Sequence, residues 1–294
     1  MLSSPTIKRP VAERHNADPL RGKARARLGT VTWHAVLGGV AVLMLFPIAW
    51  ALLTSFKPDN EIYSLAPIAD NPTLEHYVYA VTKFPIALLL GNTLIMALGV
   101  AVGQILIAVL AAFALVYFRP ASRGVFTALL AGALVVPAQT LIIPQFLLTA
   151  RLGWQNTDIG LIVPQLGACA LAVLLLVQHV QNIPASQSNA ARLEGAQPHE
   201  ILFHIILPAL RPAISAVFIL VFISTWNEYL WPLLVAGRLE DSVAQIGLNL
   251  FMTAEGNNYG GLLAAAALTS IPIVIVYLFA SRRITDAFLN SGVK

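Results

Sequence analysis

An all-α integral membrane protein of about six transmembrane helices is the fold class predicted by three features of this chain. Of its 294 residues, 57% are hydrophobic and only 11% are charged, where a soluble globular chain carries roughly 25% charged residues. The few charges cluster, leaving uncharged runs at Ala35 to Thr54, Phe84 to Phe118, Gly124 to Ala150, Ile159 to Ala191, Pro212 to Asn227 and Asn257 to Ser281. A span needs about 20 predominantly apolar residues to cross roughly 30 Å of hydrocarbon, and each run is long enough or nearly so. The third feature is how the basic residues divide between alternate loops.

Lys8, Arg9, Arg14, Arg21, Lys23, Arg25 and Arg27 precede the first run, and positive flanks stay in the cytoplasm. With six spans, these seven share a side with Arg119, Arg123, Arg192, Arg211, Arg282, Arg283 and Lys294, while Lys57, Lys83, Arg151 and Arg238 take the other. Five spans would move the C-terminal basic pair outside and weaken the partition. The reading is therefore a multi-pass membrane protein, with both termini cytoplasmic and lipid as its surroundings. The net charge of +4 expresses that orientation, and nothing in it calls for nucleic acid.

In chain order, residues 1–30 form a basic cytoplasmic extension. It is too long and polar for a secretory signal, so the first run reads as an uncleaved anchor. Residues 31–294 form the membrane domain. Span one covers about Trp33 to Leu53, with Pro47 a candidate kink. Ser55 to Lys83 reads as an ordered external cap. Span two lies within Phe84 to Phe118, a run too long for a straight crossing. Span three covers Val125 to Leu148, interrupted by Pro137 and Pro144. Span four covers Ile159 to Val180, span five Pro212 to Val235 and span six Gly261 to Ala280. Trp33, Tyr117, Trp154, Trp226, Tyr229, Trp231 and Tyr277 fall near these ends, where amphipathic rings prefer to sit. The single cysteine, Cys169, reads as a small core residue.

The loop of residues 183–211 between spans four and five is the most specific segment. It reads Asn189-Ala190-Ala191-Arg192-Leu193-Glu194-Gly195, then, after nine residues, Ile205-Ile206-Leu207-Pro208. Pro184 suits a first helical turn and Gly195 the left-handed residue that ends a helix. Pro198 then opens a second helix, with Glu200 in its first turn favoured by the dipole. Ile201, Leu202, Ile205 and Ile206 give that helix an apolar face, and Pro208 and Pro212 are expected to close it before span five. His199-Glu200 and His204 do not make a zinc motif, because five residues at about 100° each place the rings on different faces.

This hairpin resembles the "EAA" loop of the permease subunits of binding-protein-dependent ABC importers, whose coupling helix sits in a groove of the cytoplasmic ATPase. The likeness holds at Ala190, Ala191, Glu194, Gly195, Ala196, Ile205, Leu207 and Pro208, and departs at Asn189, where the family usually has Glu. Trp226-Asn227-Glu228-Tyr229-Leu230-Trp231-Pro232 is similar to a span-five signature of the carbohydrate-uptake branch, and Ser291-Gly292-Val293-Lys294 to the tail of its maltose-type subunits. The resemblance implies a type I-like importer permease coupled to ATPases through Asn189 and the matching residues. Its implied partners are a second permease subunit, two ATPase subunits and a periplasmic or lipid-anchored solute-binding protein. It implies no cofactor in this chain, with ATP and Mg in the ATPases, and a sugar or sugar-like solute, with glycerol phosphate or a glycerophosphodiester as the alternative. The chain has no Gly-x-x-x-x-Gly-Lys-Ser/Thr phosphate cradle, so it is read as non-enzymatic by itself; a membrane enzyme or a scaffold is the remote alternative.

Four polar residues in the spans are candidates for the translocation path: Asn92, Gln104, Asn227 and Glu228. The amides suit a sugar hydroxyl, and equally suit helix-to-helix hydrogen bonding. Glu228 is the one charge inside an expected span, and intramembrane ionisable groups face a bundle interior or a wet cavity. Lining the path, bracing a neighbouring subunit and meeting interfacial water all remain open to it. With no Lys or Arg in any expected span, a neutral solute is favoured over a phosphate ester.

Overall fold

The computed structural model describes the backbone of residues 19–253 and 256–292, and the side chains of residues 30, 32–252 and 258–278. Most of residues 1–30 and the final Val293 and Lys294 lie outside this range, as do the side chains of Ser291 and Gly292. The chain divides into a unit ending at Leu53 and a second running from Thr54. The first unit is helix α1 (Pro19–Thr54) almost to its end, helical through Pro47; its segment from Thr32 to Thr54 is long and apolar enough to cross a membrane.

In the second unit follow α2 (Glu75–Thr82), α3 (Ile86–Phe113, extended by a π turn at Ala114–Phe118), α4 (Arg123–Ala133) and α5 (Ala138–Arg151). Next come α6 (Asp158–Ile162, extended by a 3₁₀ turn at Val163–Ala168), α7 (Ala170–Gln181), α8 (Ala185–Leu193), α9 (Pro198–Ile201, then a π turn at Leu202–Ile206) and α10 (Leu207–Trp226). The chain closes with α11 (Leu230–Val235), α12 (Ala244–Gly247), the two-residue strands β1 (Met252–Thr253) and β2 (Gly256–Asn257), and α13 (Tyr259–Gly292). Among the described residues, four helical segments are long and apolar enough to cross a membrane; the pairs α4–α5 and α6–α7, bent by 95° and 51°, make six if each pair is one span.

Helix α3 is the central post, packed against α7 and α10, and α13 packs on α10. Small residues let the backbones close in. Ala97, Ala101, Ala108 and Ala112 are fully buried along one stripe of α3. Its Gly99 and Gly103 lie against α6 and the 3₁₀ turn, where added Cβ atoms would come within 2.6 Å of Ile162 and 2.5 Å of Leu166.

The prolines act differently from the sequence expectation. Pro137 does end a helix, because Val136 before it is pushed out of the α region, and the chain turns there. Pro144, expected to interrupt span three as well, lies inside an unbroken α5. Span four tightens to a 3₁₀ turn from Val163 beside Pro164 and bends by 51° at Cys169, which was not anticipated. Pro164 cannot donate to the carbonyl four residues back, and the indole Nε1 of Trp231 fills the gap, donating to Gly160 O and Leu161 O at 3.2 Å each. Gln165 Nε2 donates to Leu161 O at 2.7 Å, and Gln104 Nε2 reaches across from α3 to Gln165 O at 2.8 Å. Trp231 and Trp226, expected at the membrane interface, are instead core residues, 4% and 1% exposed.

The segment from Ser55 to Lys83 is ordered, as expected of a cap. Lys57 is 1% exposed and its Nζ donates to Ser64 O at 2.9 Å. His76 Nε2 lies 2.9 Å from Lys57 O, Ser55 Oγ 2.7 Å from Tyr77 OH, and Thr73 N donates to Phe56 O at 2.8 Å. Helix α2 packs on α13, and a Cβ on Gly260 would overlap the His76 ring. Near the start of α6, Asn156 adopts a left-handed φ of 56° and its Oδ1 accepts from Gly237 N at 2.7 Å, tying that turn to the end of α11.

Replacing Gln104 by Leu keeps the volume and leaves Gln165 O without its donor from α3. An unanswered buried acceptor costs about 1–3 kcal/mol, so thermal unfolding of the purified Gln104→Leu protein in detergent should show a lower midpoint, whereas Gln181→Leu at an exposed position should not.

Candidate functional site

The loop of residues 183–211 folds as the expected hairpin, with one correction. Pro184 sits at the N-cap of α8 with ψ 123°, and α8 ends at Leu193. Gly195 takes φ +87°. Ala196 N donates to Ala191 O at 2.9 Å and Gly195 N to Arg192 O at 3.0 Å, the paired bonds of a Schellman stop. The chain then reverses through Gln197, whose extended backbone caps α9. Pro198 occupies the first turn, and the Glu200 carboxylate accepts from Gln197 N at 2.7 Å, satisfying an orphan donor at the helix start.

The correction concerns Pro208 and Pro212, which do not close the second helix before span five. From Pro198 to Trp226 the helix is continuous over 29 residues. In a straight α-helix the Pro208 ring would press on the carbonyl of His204. The π turn at Leu202–Ile206, closed by Leu207 N to Leu202 O, widens the coil at that point. The elbow and span five are thus one rod, about 40 Å long at 1.5 Å per residue. Arg211, expected just outside the span, lies within that helix.

The elbow is anchored on one side and bare on the other. Ile201, Leu202 and Ile206 are buried in a core with Ala108, Ala112, Phe113, Leu176, Val177 and Leu210, and Ala191, Ala196, Ile205 and Leu207 pack against it. Asn189, Ala190, Glu194 and Gly195 are exposed, Pro208 is half-buried, and Leu193 at the tip is 91% exposed. Arg192 holds α8 to the π turn after α3: its guanidinium lies 4.1 Å over the Tyr117 ring and Nε donates to Tyr117 OH at 2.9 Å. Sequence reasoning placed Tyr117 in an aromatic belt and overlooked this pairing, because the two residues are 75 apart in the chain.

At the other end of the rod, α10 stops at Trp226 and the chain breaks at residues 227–229 before α11. Asn227 and Glu228 both fall in this break. Asn227 Nδ2 donates to Ile223 O at 2.9 Å, and Glu228 Oε1 accepts from Trp231 N at 3.3 Å, capping α11. Gln245 Nε2 lies 3.5 Å from Asn227 Oδ1, and Asn249 Nδ2 donates to Tyr229 OH at 2.9 Å. Gln245, Asn249 and Tyr229 were not singled out from sequence as a polar group. A Gln and Asn four apart was the available signal, since that spacing places them on one helical face.

The other two polar candidates lie elsewhere. Asn92 Nδ2 donates to Glu240 O at 2.7 Å and Ser242 O at 2.9 Å, and Gln104 bonds Gln165 O. Both join elements together, and neither meets the cluster around Asn227.

Apolar helices that can cross a membrane, a two-helix elbow at one end and a polar break at the other define a multi-pass membrane permease. The chain belongs to the binding-protein-dependent transport system inner membrane component family, whose model matches residues 104–288. It is 30% identical over 271 residues to the arabinooligosaccharides transport system permease protein AraQ of Halalkalibacterium halodurans, covering 90% of this chain and 97% of that protein. It is 32% identical over 263 residues to the sn-glycerol-3-phosphate transport system permease protein UgpE of Salmonella typhi, covering 86% and 93%. In fold it is similar to a chain of a bacterial ABC transporter involved in the import of the acidic polysaccharide alginate (TM-score 0.75, 23% identity, 87% of this chain and 96% of that one). It is also similar to a chain of the MetNI methionine ABC transporter in an inward-facing form (TM-score 0.55, 16% identity, 70% and 98%). The chain is therefore a transport permease component of an ABC importer and a multi-pass inner-membrane protein.

Gly195 has open space around it, with nothing within 4 Å of an added Cβ, so its backbone conformation alone opposes substitution. Gly195→Ala should disfavour the elbow by about 1–2 kcal/mol and lower solute-stimulated ATP hydrolysis in the assembled importer. Gly195→Asn, which tolerates positive φ, should retain more of it.

Proposed function

We propose that this chain carries a sugar or sugar-like solute into the cytoplasm by alternating access, driven by ATPase subunits that seat its elbow. The observation that carries this reading is the single helix from Pro198 to Trp226. It runs from an exposed apolar tip at Leu193 and a left-handed Gly195 to a polar break at Asn227 and Glu228. A push on the elbow moves the rod as a unit and so moves the break. Asn189 to Ala196 form the docking surface, and Ile205, Leu207 and Pro208 pass the motion to the core. Asn189, in place of the family's Glu, supplies an amide hydrogen-bonding group without a charge.

The partners on this reading are a second permease subunit, two ATPase subunits that hold ATP and magnesium, and an extracytoplasmic solute-binding protein. This chain itself hydrolyses nothing and needs no cofactor. The positive-inside distribution places both termini and the elbow in the cytoplasm.

The choice of solute rests on the polar break. Tyr229, Asn227, Gln245 and Asn249 offer hydroxyl and amide groups, the mixed donors and acceptors that suit sugar hydroxyls. The one charge among them, Glu228, would repel a phosphate ester, and residues 226–235 and 244–251 contain no Lys or Arg to offset it. A sugar is favoured over glycerol phosphate for that reason. Asn92 and Gln104 take part as the bonds that hold the path's walls in place.

Reconstitution with the partner subunits in liposomes tests the proposal. ATP-dependent uptake of a labelled oligosaccharide is expected, and uptake of glycerol 3-phosphate alone would reverse the preference. Leu193→Asp should abolish co-purification of the ATPase, because a charge replaces the apolar tip. Asn227→Ala and Gln245→Ala should each lower uptake about five- to tenfold, the loss of one hydrogen bond of about 1–1.5 kcal/mol, with ATPase binding intact. Uptake unchanged in both would remove the break from the path.

A further inference from the structure

Beside the elbow lies a cleft of about 690 Å³ that shares Asn189 and Arg192 with the proposed docking surface and is otherwise unused by the transport reading. It is bounded by the end of α3, the start of α4, the end of α7 and helix α8. Arg119, Arg123 and Arg192 line it, with Ser188, Asn189 and Tyr117 among the polar groups, and no carboxylate does. The nearby carboxylates Glu194 and Glu200 line a separate, smaller cleft. Among the described residues, none of the three arginines meets a carboxylate. Arg192 is held in place by its stack on Tyr117. Pro184 and Ala185, at the start of the nine-residue α8, also line the cleft, so the positive end of that helix dipole adds to the field. Arg119 takes a left-handed φ of 46° as the residue that ends the π turn after α3.

We propose that this cleft binds the phosphodiester headgroup of an anionic phospholipid. Three guanidiniums around one space, each able to hold phosphate oxygens through two N–H groups, suit a phosphate. The volume exceeds what an inorganic phosphate fills and falls within the range of small-ligand sites. Apolar surface adjoins the arginines: Phe118 next to Arg119, and Val125 and Phe126 just after Arg123, are all exposed. A headgroup in the cleft can therefore keep its acyl chains on the bundle surface. Basic pockets between spans on the cytoplasmic side are where such headgroups bind. The proposal rests on the permease reading only for the side of the membrane the cleft faces.

The importer, purified with its partner subunits from membranes containing phosphatidylglycerol, should retain that lipid in native mass spectrometry. Arg119→Gln/Arg123→Gln should weaken retention about thirtyfold, and the charge-keeping Arg119→Lys/Arg123→Lys should retain most of it, which separates loss of binding from misfolding. Inorganic phosphate in large excess should not strip the lipid. Equal retention in the Gln variant, or release of lipid by inorganic phosphate, would overturn the lipid site. ATP-driven uptake by the same preparation keeps the two readings apart. Uptake without arginine-dependent retention removes the lipid site alone, and retention without any ATPase partner removes the transport reading alone.

Discussion

A helix that crosses hydrocarbon has to satisfy its own backbone, since lipid offers no hydrogen bonds and each open group costs several kcal/mol. At several places where this chain breaks a helix or turns between helices, a side chain from a distant segment answers the exposed groups. Trp231 covers the carbonyls freed around Pro164, Gln104 covers Gln165, and Asn92 holds the chain at Glu240 and Ser242. Thr93 Oγ1 accepts from Ala244 N at 2.9 Å. Polar residues inside the spans are in the first place what makes broken spans possible.

That constraint explains why motion can be transmitted. The break around Pro164 has a partner side chain from a distant segment, and the helices between breaks run without interruption. Helix α10 with the elbow's second helix is the longest uninterrupted lever of the second unit apart from α3 and α13, and it packs along α3 through alanines that hold the backbones close. Its elbow end carries the Schellman stop at Gly195 and its other end the break at Asn227. On the proposed mechanism, displacement at one end is carried to the other because the π turn at Leu202–Ile206 accommodates Pro208 without interrupting the helix.

Much of this was legible in the sequence. The apolar runs marked the spans because burial in lipid demands length and lack of charge, and those are properties of composition. The elbow was legible because its signals are local: a glycine for a left-handed residue, a proline and a glutamate for a helix start. The prolines at 144, 208 and 212 were misread, because whether a proline breaks a helix depends on whether the backbone around it can widen or be compensated. Trp226 and Trp231 were misread for a related reason. An aromatic ring near the end of an apolar run suits the membrane interface, and equally suits a packed core, where Trp231 alone of the two also donates to Gly160 O and Leu161 O.

The sequence by itself determined the membrane class, the elbow and the family likeness, since each depends on residues close together in the chain or on composition alone. Tertiary structure decided which polar residues tie helices together and which gather at the break. It also decided that Gln245 meets Asn227 and Asn249 meets Tyr229, and that Arg192 shares one cleft with Arg119 and Arg123. Those outcomes depend on packing between segments up to about 150 residues apart, such as Thr93 and Ala244, and local propensity carries no record of which distant backbone group a side chain will meet.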